Sequence, residues 1–289
     1  MVGALGRNLT SKAVLTPTII AMTVCFYGCM AWTIYVSFTR SGMLPNYDLV
    51  GLAQYDRLWG DNRWHVSFAN MFIFGVLFIT GALALGTLLA VLIDTKVRME
   101  GAFRTIFLYP LSMSFIVTGL AWRWFLDPTD GLQSFVRSLG WETFEFDWLV
   151  DRDMAIYTIV IAAIWQGSGL IMAIMLAGLR SIDRDVWKAT KMDGIPTWRA
   201  YVNVILPQLQ PLVITCVVLL AITVVKSFDL VVALTNGGPG FSSDLPAKFV
   251  VDAAFERANI GQASAAAVMM LMAVIAALAP YFYLVRRRS

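Results

Sequence analysis

The chain has 289 residues, of which 58% are hydrophobic and 14% are charged, with a net charge of +3 and a mean hydropathy of +0.70. Soluble domains are usually about 45–50% apolar and about 25% charged, so this composition excludes an ordinary soluble protein. We therefore expect membrane lipid around the chain and no nucleic-acid partner.

Six long runs contain no acidic or basic residue, and each reaches the ~18–20 residues that a helix needs to cross ~30 Å of hydrocarbon. Open strands are excluded because their unpaired backbone groups are too costly in lipid, and barrel strands would be ~10 residues long with alternating polarity. The sequence predicts an all-α membrane protein with six transmembrane helices, at 14–38, 68–93, 104–126, 153–177, 209–234 and 262–285.

The first predicted span follows Arg7 and Lys12, a pattern that favours a retained signal anchor over a short cleaved signal peptide. Cys25 and Cys29 lie in this span, and Cys216 lies in the fifth. With no histidine or acid nearby, we expect these thiols to pack between helices and to bind no metal.

The stretch 178–208 is too polar to enter the bilayer and too regular in pattern for a linker. Ser181 or Asp183 can cap a helix that runs to about Asp193. Gly194 suits the left-handed residue after a helix end, and the proline that follows at 196 prevents continuation.

A second helix is predicted after this turn, with Thr197 as its cap. Pro207 and Pro211 should break it where the fifth span begins. Its apolar stripe recurs at helical spacing and consists of Trp198, Tyr201, Val202 and Ile205. The product is a polar hairpin along the membrane surface, which either merely connects two spans or presents a rigid knob to a cytoplasmic partner.

The fifth span contains two ionisable residues, Lys226 and Asp229. Charges inside spans are expensive, which favours a functional role or a mutual salt bridge at their i, i+3 spacing. The alternative is a position at the outer interface, with Lys226 snorkelling. If Lys226 instead faces a cavity, it favours an anionic solute. The following loop, 235–246, is rich in turn formers and should be mobile in isolation.

Lysine and arginine are more numerous in the segments on the side of the termini, which include Lys96 and the basic tail 286–289, than in the opposite loops. The positive-inside rule therefore predicts that both termini and the polar hairpin are cytoplasmic.

No catalytic residue is predicted. The sequence has no G-x-x-x-x-G-K-[ST], so the chain itself should not hydrolyse ATP. The single histidine, His65, is expected at the outer interface, and no motif of a metalloprotease or serine hydrolase occurs. Any energy source must belong to another polypeptide.

The hairpin resembles the "EAA" loop of inner-membrane permeases of binding-protein-dependent ABC importers, in "KATKMDGI" followed by "VILP". The matching residues are Ala189, Asp193, Gly194 and Pro207, whereas the family pattern is replaced at Lys188, Thr190 and Ile195. Three other stretches resemble the maltose-type, sugar-importing branch: "GAFRTIFLYP" at 101–110, "SFDLVVALTNGGPG" at 227–240 and "AFERANIGQASA" at 254–265.

The resemblance implies a type I ABC importer transmembrane domain at 67–285, preceded by an N-terminal segment at 1–66 with the first span and an outer loop, and containing the coupling loop 178–208. It implies that a cytoplasmic coupling helix docks on an ATPase through Asp185, Val186, Trp187, Lys188, Ala189, Thr190, Asp193 and Gly194. Since Lys188 stands where the family has Glu, we expect this contact to depend on shape and on other charges such as Asp185, or on an acid of the partner.

The same resemblance implies a bacterial inner-membrane assembly with a second homologous permease, two ATPase subunits that bind ATP and Mg²⁺, and an external solute-binding protein. The chain would hold no cofactor and would move a sugar or sugar derivative by alternating access. The alternatives are a permease for a polyol or a phosphate ester, and a stand-alone secondary transporter.

A sugar path needs hydrogen-bonding groups beside flat apolar faces, as "WQGSGL" at 165–170 offers in the fourth span. The resemblance implies substrate contacts at Gly167, Leu170, Leu220, Thr223, Val224 and Ser227. The two charged residues of the fifth span, Lys226 and Asp229, complete the predicted path.

Overall fold

The computed structural model of the chain describes residues 2–44, 46–95 and 97–286. Side chains are described from Leu15 to Ala276. Lys96 and most of the predicted basic tail 286–289 lie outside the described residues, as do the side chains of Arg7 and Lys12.

The described backbone is helical, apart from its loops and one isolated bridge between Thr39 and Leu49. The helices are α1 (Val2–Ser37), α2 (Ala53–Trp59), α3 (Asn62–Asp94), α4 (Glu100–Leu108), α5 (Phe115–Phe125), α6 (Leu132–Ser138), α7 (Ala155–Ser181), α8 (Arg184–Met192), α9 (Thr197–Gln208), α10 (Gln210–Val225), α11 (Phe228–Leu234), α12 (Pro246–Val251) and α13 (Ile260–Arg286). The all-α prediction is confirmed.

Among the described residues, three helices are unbroken, long and apolar enough to cross a membrane, and they correspond to the first, second and fourth predicted spans. They are Leu15–Ser37 within α1, α3 and α7. Two bent helix pairs raise this number to five in the described residues. The sixth predicted span falls in α13, whose apolar part with described side chains is Ile260–Ala276.

The third predicted span, 104–126, is not the single helix that we expected. Glu100–Ser112 and Phe115–Phe125 meet at 102°. Pro110 lies in a tight 3₁₀ turn, Met113 is extended, and the Ser114 hydroxyl accepts a hydrogen bond from the Val117 amide to start α5. The apolar run continues through this bend, so the absence of charges alone did not reveal it.

The fifth predicted span, 209–234, is also not continuous. The Ser227 hydroxyl donates to the Thr223 carbonyl, and Ser227 has a non-helical ψ of 45°, so α10 ends and α11 begins after it. The break expected from Pro207 and Pro211 is present, because Thr197–Gln208 and α10 meet at 72°.

The chain divides into two compact units. The first combines residues up to Asp61 with Phe249–Ile275. Within it, the Gly261 amide donates to the Ser41 carbonyl over 2.8 Å, which joins the start of α13 to the loop after α1. The predicted boundary between 66 and 67 stays a prediction.

The second unit contains Asn62–Lys248, and α3 packs against α7 at its centre. Gly86 makes this approach possible, since a Cβ there would lie 2.6 Å from the Ile171 Cβ atom. Gly169, on α7, does the same for the C-terminal end of α4: a Cβ would lie 2.1 Å from the Phe107 carbonyl oxygen. The α7 helix is therefore the most buried of the unbroken spans, at 61% of its apolar window.

Candidate functional site

A cavity of about 310 Å³ lies within the second unit, between α7, α10 and the bend that separates α4 from α5. Its lining residues are Phe78, Leu111, Met113, Ser114, Phe115, Ala163, Gln166, Gly167, Leu170, Leu219, Leu220, Thr223 and Asp229. Five of the eight residues predicted for the solute path are in this set: Gly167, Leu170, Leu220, Thr223 and Asp229.

The other three predicted path residues do not line the cavity. Val224 is buried and packs on α3, where a Cβ on Gly75 would be 3.5 Å from its Cγ1 atom. Ser227 is buried at the helix break, and Lys226 is exposed at the end of α10.

The salt bridge that Lys226 and Asp229 could make on a continuous helix is not formed in the described part of the chain. The break at Ser227 removes the i, i+3 geometry on which that expectation depended. Asp229 instead lies in the first turn of α11, where the helix dipole stabilises a negative charge. The cavity therefore has a carboxylate at its edge, and no lysine or arginine is among its described lining residues.

Gln166 is the most informative polar residue of the cavity. Its side chain is 4% exposed, and its Nε2 atom donates to the Met113 carbonyl over 2.8 Å. Its Oε1 atom is buried without a hydrogen-bond partner in the structure. A buried acceptor without a partner costs about 1–3 kcal/mol, so this oxygen is a polar group that the described part of the chain does not satisfy.

The remaining polar groups of the cavity are also rich in acceptors. The Thr223 hydroxyl donates to the Leu219 carbonyl, so the Thr223 Oγ1 atom can still accept a hydrogen bond from a solute. The Asp229 carboxylate can only accept when ionised. Flat apolar faces are supplied by Phe78 and Phe115. Such a lining suits a solute with many hydroxyl donors.

The polar hairpin has the predicted local structure, with one change of cap. Asp183 is the N-cap of α8 and accepts from the Asp185 amide over 2.9 Å, so Asp183 rather than Ser181 caps it. Gly194 has φ +68°, the left-handed conformation that was expected. The cap of the second helix is Pro196, without a side-chain hydrogen bond, and not Thr197 as predicted.

The residues predicted to contact an ATPase divide into an outer and an inner set. Asp185, Lys188, Ala189, Asp193 and Gly194 are exposed, whereas Val186 and Trp187 are half-buried and Thr190 is buried. Lys188 Nζ lies 2.8 Å from Asp185 Oδ1, and both side chains are largely exposed. The two charges therefore partly neutralise each other on the outer face.

The apolar stripe of α9 is not one continuous face. Tyr201 and Ile205 are buried, but Trp198 and Val202 are exposed. Residues Tyr201–Ile205 form a π-helical turn, which changes the angular spacing between successive side chains and was not anticipated from a 3.6-residue period.

A polar network that the sequence did not reveal joins the hairpin to the transmembrane helices. The Tyr201 hydroxyl donates to Asp94 Oδ2 over 2.7 Å, and Arg180 Nε lies 4.0 Å from Asp94 Oδ1. Arg180 also pairs with Glu100 over 2.8 Å. On the hairpin side, the Trp187 and Tyr201 rings contact edge to face at 5.0 Å. The network links α3, α4, α7, α8 and α9.

The loop 235–246, expected to be mobile, is held by many contacts. Arg63 pairs with Asp244, whose side chain is fully buried. The Asn70 amide donates to the Ser242 and Asp244 carbonyls, at 2.7 and 3.0 Å. The Ser243 hydroxyl donates to the Gly238 carbonyl. A loop with this much buried hydrogen bonding is ordered against α3.

Comparison with known proteins gives one family. The model of the family described as "binding-protein-dependent transport system inner membrane component" matches residues 82–289. The chain is 38% identical over 271 residues to a protein named "Probable ABC transporter permease protein" of Pyrococcus horikoshii, covering 93% of each chain. It is 31% identical over 268 residues to a xylose/arabinose import permease protein of Haloferax volcanii, covering 91% of this chain and 84% of that protein.

Among solved structures, the fold is similar to a chain of a bacterial ABC transporter involved in import of the acidic polysaccharide alginate. The TM-score is 0.85, and 99% of this chain and 98% of that chain are covered. Since the sequence identity is 19%, this similarity concerns the fold alone. That fold is the type I importer transmembrane domain predicted from the sequence.

Proposed function

This chain belongs to the family of inner-membrane components of binding-protein-dependent transport systems, and we propose that it is the transmembrane permease subunit of an ATP-driven carbohydrate importer. The observation that carries the proposal is the cavity of about 310 Å³ around which five of the predicted path residues come together. Its aromatic faces and hydrogen-bond acceptors match the chemistry of a sugar.

The proposed substrate is a neutral hydroxylated solute, rather than a phosphate ester or another anion. Asp229 is the charged residue among the described lining residues, and its ionised carboxylate repels an anion. Lys226, the residue that favoured an anionic solute, does not line the cavity. Sugar hydroxyls would instead donate to the Thr223 hydroxyl oxygen and to the Asp229 carboxylate.

Energy is proposed to come from other subunits. The chain would assemble with a second, homologous permease, two cytoplasmic ATPase subunits that bind ATP and Mg²⁺, and an external solute-binding protein. It would hold no cofactor and catalyse no reaction itself. Both termini and the hairpin would be cytoplasmic, in accordance with the distribution of lysine and arginine.

The proposed mechanism is alternating access. Closure of the ATPase dimer would move the exposed face of α8, and the cavity would open outward to accept the solute from the binding protein. Such a change needs a rigid element that contacts the motor differently in the two states. The N-cap at Asp183 and the left-handed Gly194 give the hairpin that rigidity.

The test is uptake by proteoliposomes that contain the complete complex, with labelled xylose, maltose and sn-glycerol 3-phosphate as probes. We expect uptake of a neutral sugar that requires internal MgATP and the binding protein. Leu170→Trp, which fills the cavity, should abolish uptake. The matched control Leu88→Trp alters an exposed residue of α3 and should preserve it. Uptake that persists without the ATPase would instead indicate a stand-alone secondary transporter.

A further inference from the structure

The inner face of α8 packs on the rest of the chain, with Thr190 buried and Val186 and Trp187 half-buried. Its outer face is exposed, and Trp187 contacts the next helix through the ring of Tyr201. Tyr201 is 7% exposed, and its hydroxyl reaches Asp94, the last residue of α3. Beside the covalent connection of α8 to α7, which packs on α3, the hairpin therefore has a direct side-chain link to α3 through one aromatic contact and one hydrogen bond to a carboxylate.

Asp94 occupies a costly position. A carboxylate at the C-terminus of a helix is disfavoured by the helix dipole, and this one ends an apolar helix of 33 residues. The Tyr201 hydroxyl and the nearby Arg180 guanidinium compensate for that cost. Hydrogen bonds to charged groups are stronger than neutral ones, so the bond between Tyr201 and Asp94 is a firm connection.

The end and the middle of α3 serve different purposes. Its cytoplasmic end carries Asp94, and Phe78, on the same helix about 24 Å away at 1.5 Å per residue, lines the cavity. An unbroken helix transmits an axial or tilting displacement between these points. Tyr201 also begins the π-helical turn, in which the Leu206 amide bonds to the Tyr201 carbonyl.

We propose that Tyr201 is a positioning residue that transmits the movement of the coupling hairpin to α3, through its hydrogen bond to Asp94. This inference rests on the proposed function, since it assigns the path by which the ATPase changes the cavity. Tyr201 lies outside the set of residues predicted to touch the ATPase, and its role is to hold the hairpin and α3 together as one moving body.

The test measures cavity accessibility in the complete complex without any solute. Cys25, Cys29 and Cys216 are replaced by alanine, and Leu170→Cys places one thiol in the cavity. A membrane-impermeant methanethiosulfonate labels this thiol, first without nucleotide and then with MgATP and vanadate. ATP hydrolysis is measured on the same preparations.

In the complex with Tyr201 intact, addition of MgATP and vanadate should change the rate at which the reagent labels the cavity thiol. In Tyr201→Phe, hydrolysis should persist, while the nucleotide-dependent change in labelling should shrink roughly tenfold, the effect expected for one hydrogen bond to a charged group. Asp94→Leu should have the same effect, and combining it with Tyr201→Phe should add nothing further. Asp94→Asn, which keeps an acceptor for the hydroxyl, should retain most of the response.

The control is Tyr47→Phe, which removes an exposed hydroxyl far along the chain and should change neither readout. A Tyr201→Phe complex that hydrolyses ATP and shows the full labelling response would overturn the inference and leave the proposed function intact. If the protein with Tyr201 intact shows no nucleotide response, the proposed function itself fails, and the inference fails with it.

Discussion

Replacing Gly169 by alanine should destabilise the protein through one defined collision. The added Cβ would lie 2.1 Å from the Phe107 carbonyl oxygen and 3.1 Å from its carbonyl carbon. Since a carbon–oxygen contact needs about 3.3 Å, the C-terminal end of α4 must move by about 1 Å. Both neighbours are backbone atoms, which cannot rotate away, so we expect the upper part of the overpacking range, about 3 kcal/mol.

The assay measures the apparent melting temperature of the purified chain in detergent. Unfolding is detected by the reaction of the buried Cys216 with a thiol-reactive dye, in a variant whose Cys25 and Cys29 have been replaced. Gly169→Ala should lower the apparent melting temperature by roughly 6 °C or more. The matched control is Gly28→Ala, because a Cβ there meets no atom within 4 Å, and it should melt no lower than the parent. Equal melting of Gly169→Ala and the control would refute the close approach.

Three further changes probe the bend and the hairpin. Ser114→Ala removes the cap that starts α5 and should cost about 1 kcal/mol, seen as a lower melting temperature; an unchanged value would contradict the role of the cap. Asp183→Ala should speed amide exchange in Arg184–Met192 about fivefold, and unchanged exchange would show that α8 does not depend on this cap. Lys188→Ala breaks an exposed ion pair with Asp185 worth about 0.5 kcal/mol, so melting should stay within about 2 °C; a larger fall would mean that the pair is structural.

The features that the sequence could predict are those set by local chemistry. The bilayer imposes a minimum length on each apolar run, so the positions of α1, α3 and α7 follow from the absence of charges. The turn at Gly194 follows from the one residue type that adopts positive φ without strain. Both kinds of prediction need only residues close together in the chain.

The features that the sequence could not predict depend on breaks within helices and on contacts between residues that are far apart in the chain. The bend between α4 and α5 lies within a continuous apolar run, and only Pro110 and Ser114 hint at it. The break at Ser227 separates Lys226 from Asp229, whose spacing on an unbroken helix suggested a pair. The contacts of Tyr201 and Gln166 join residues far apart in sequence, for which a single sequence names no partner.

The central claim is that the hairpin after α7 receives force from an ATPase on the cytoplasmic side. The most direct measurement places a photo-crosslinking amino acid at Ala189, on the exposed face of α8, in the assembled complex. A second site, Thr129, in the loop predicted on the opposite side, serves as the comparison. We predict crosslinks to the ATPase from position 189 and none from position 129. Crosslinks from position 129 instead, or a complex in which position 189 reacts only with reagents applied outside the cell, would contradict the account.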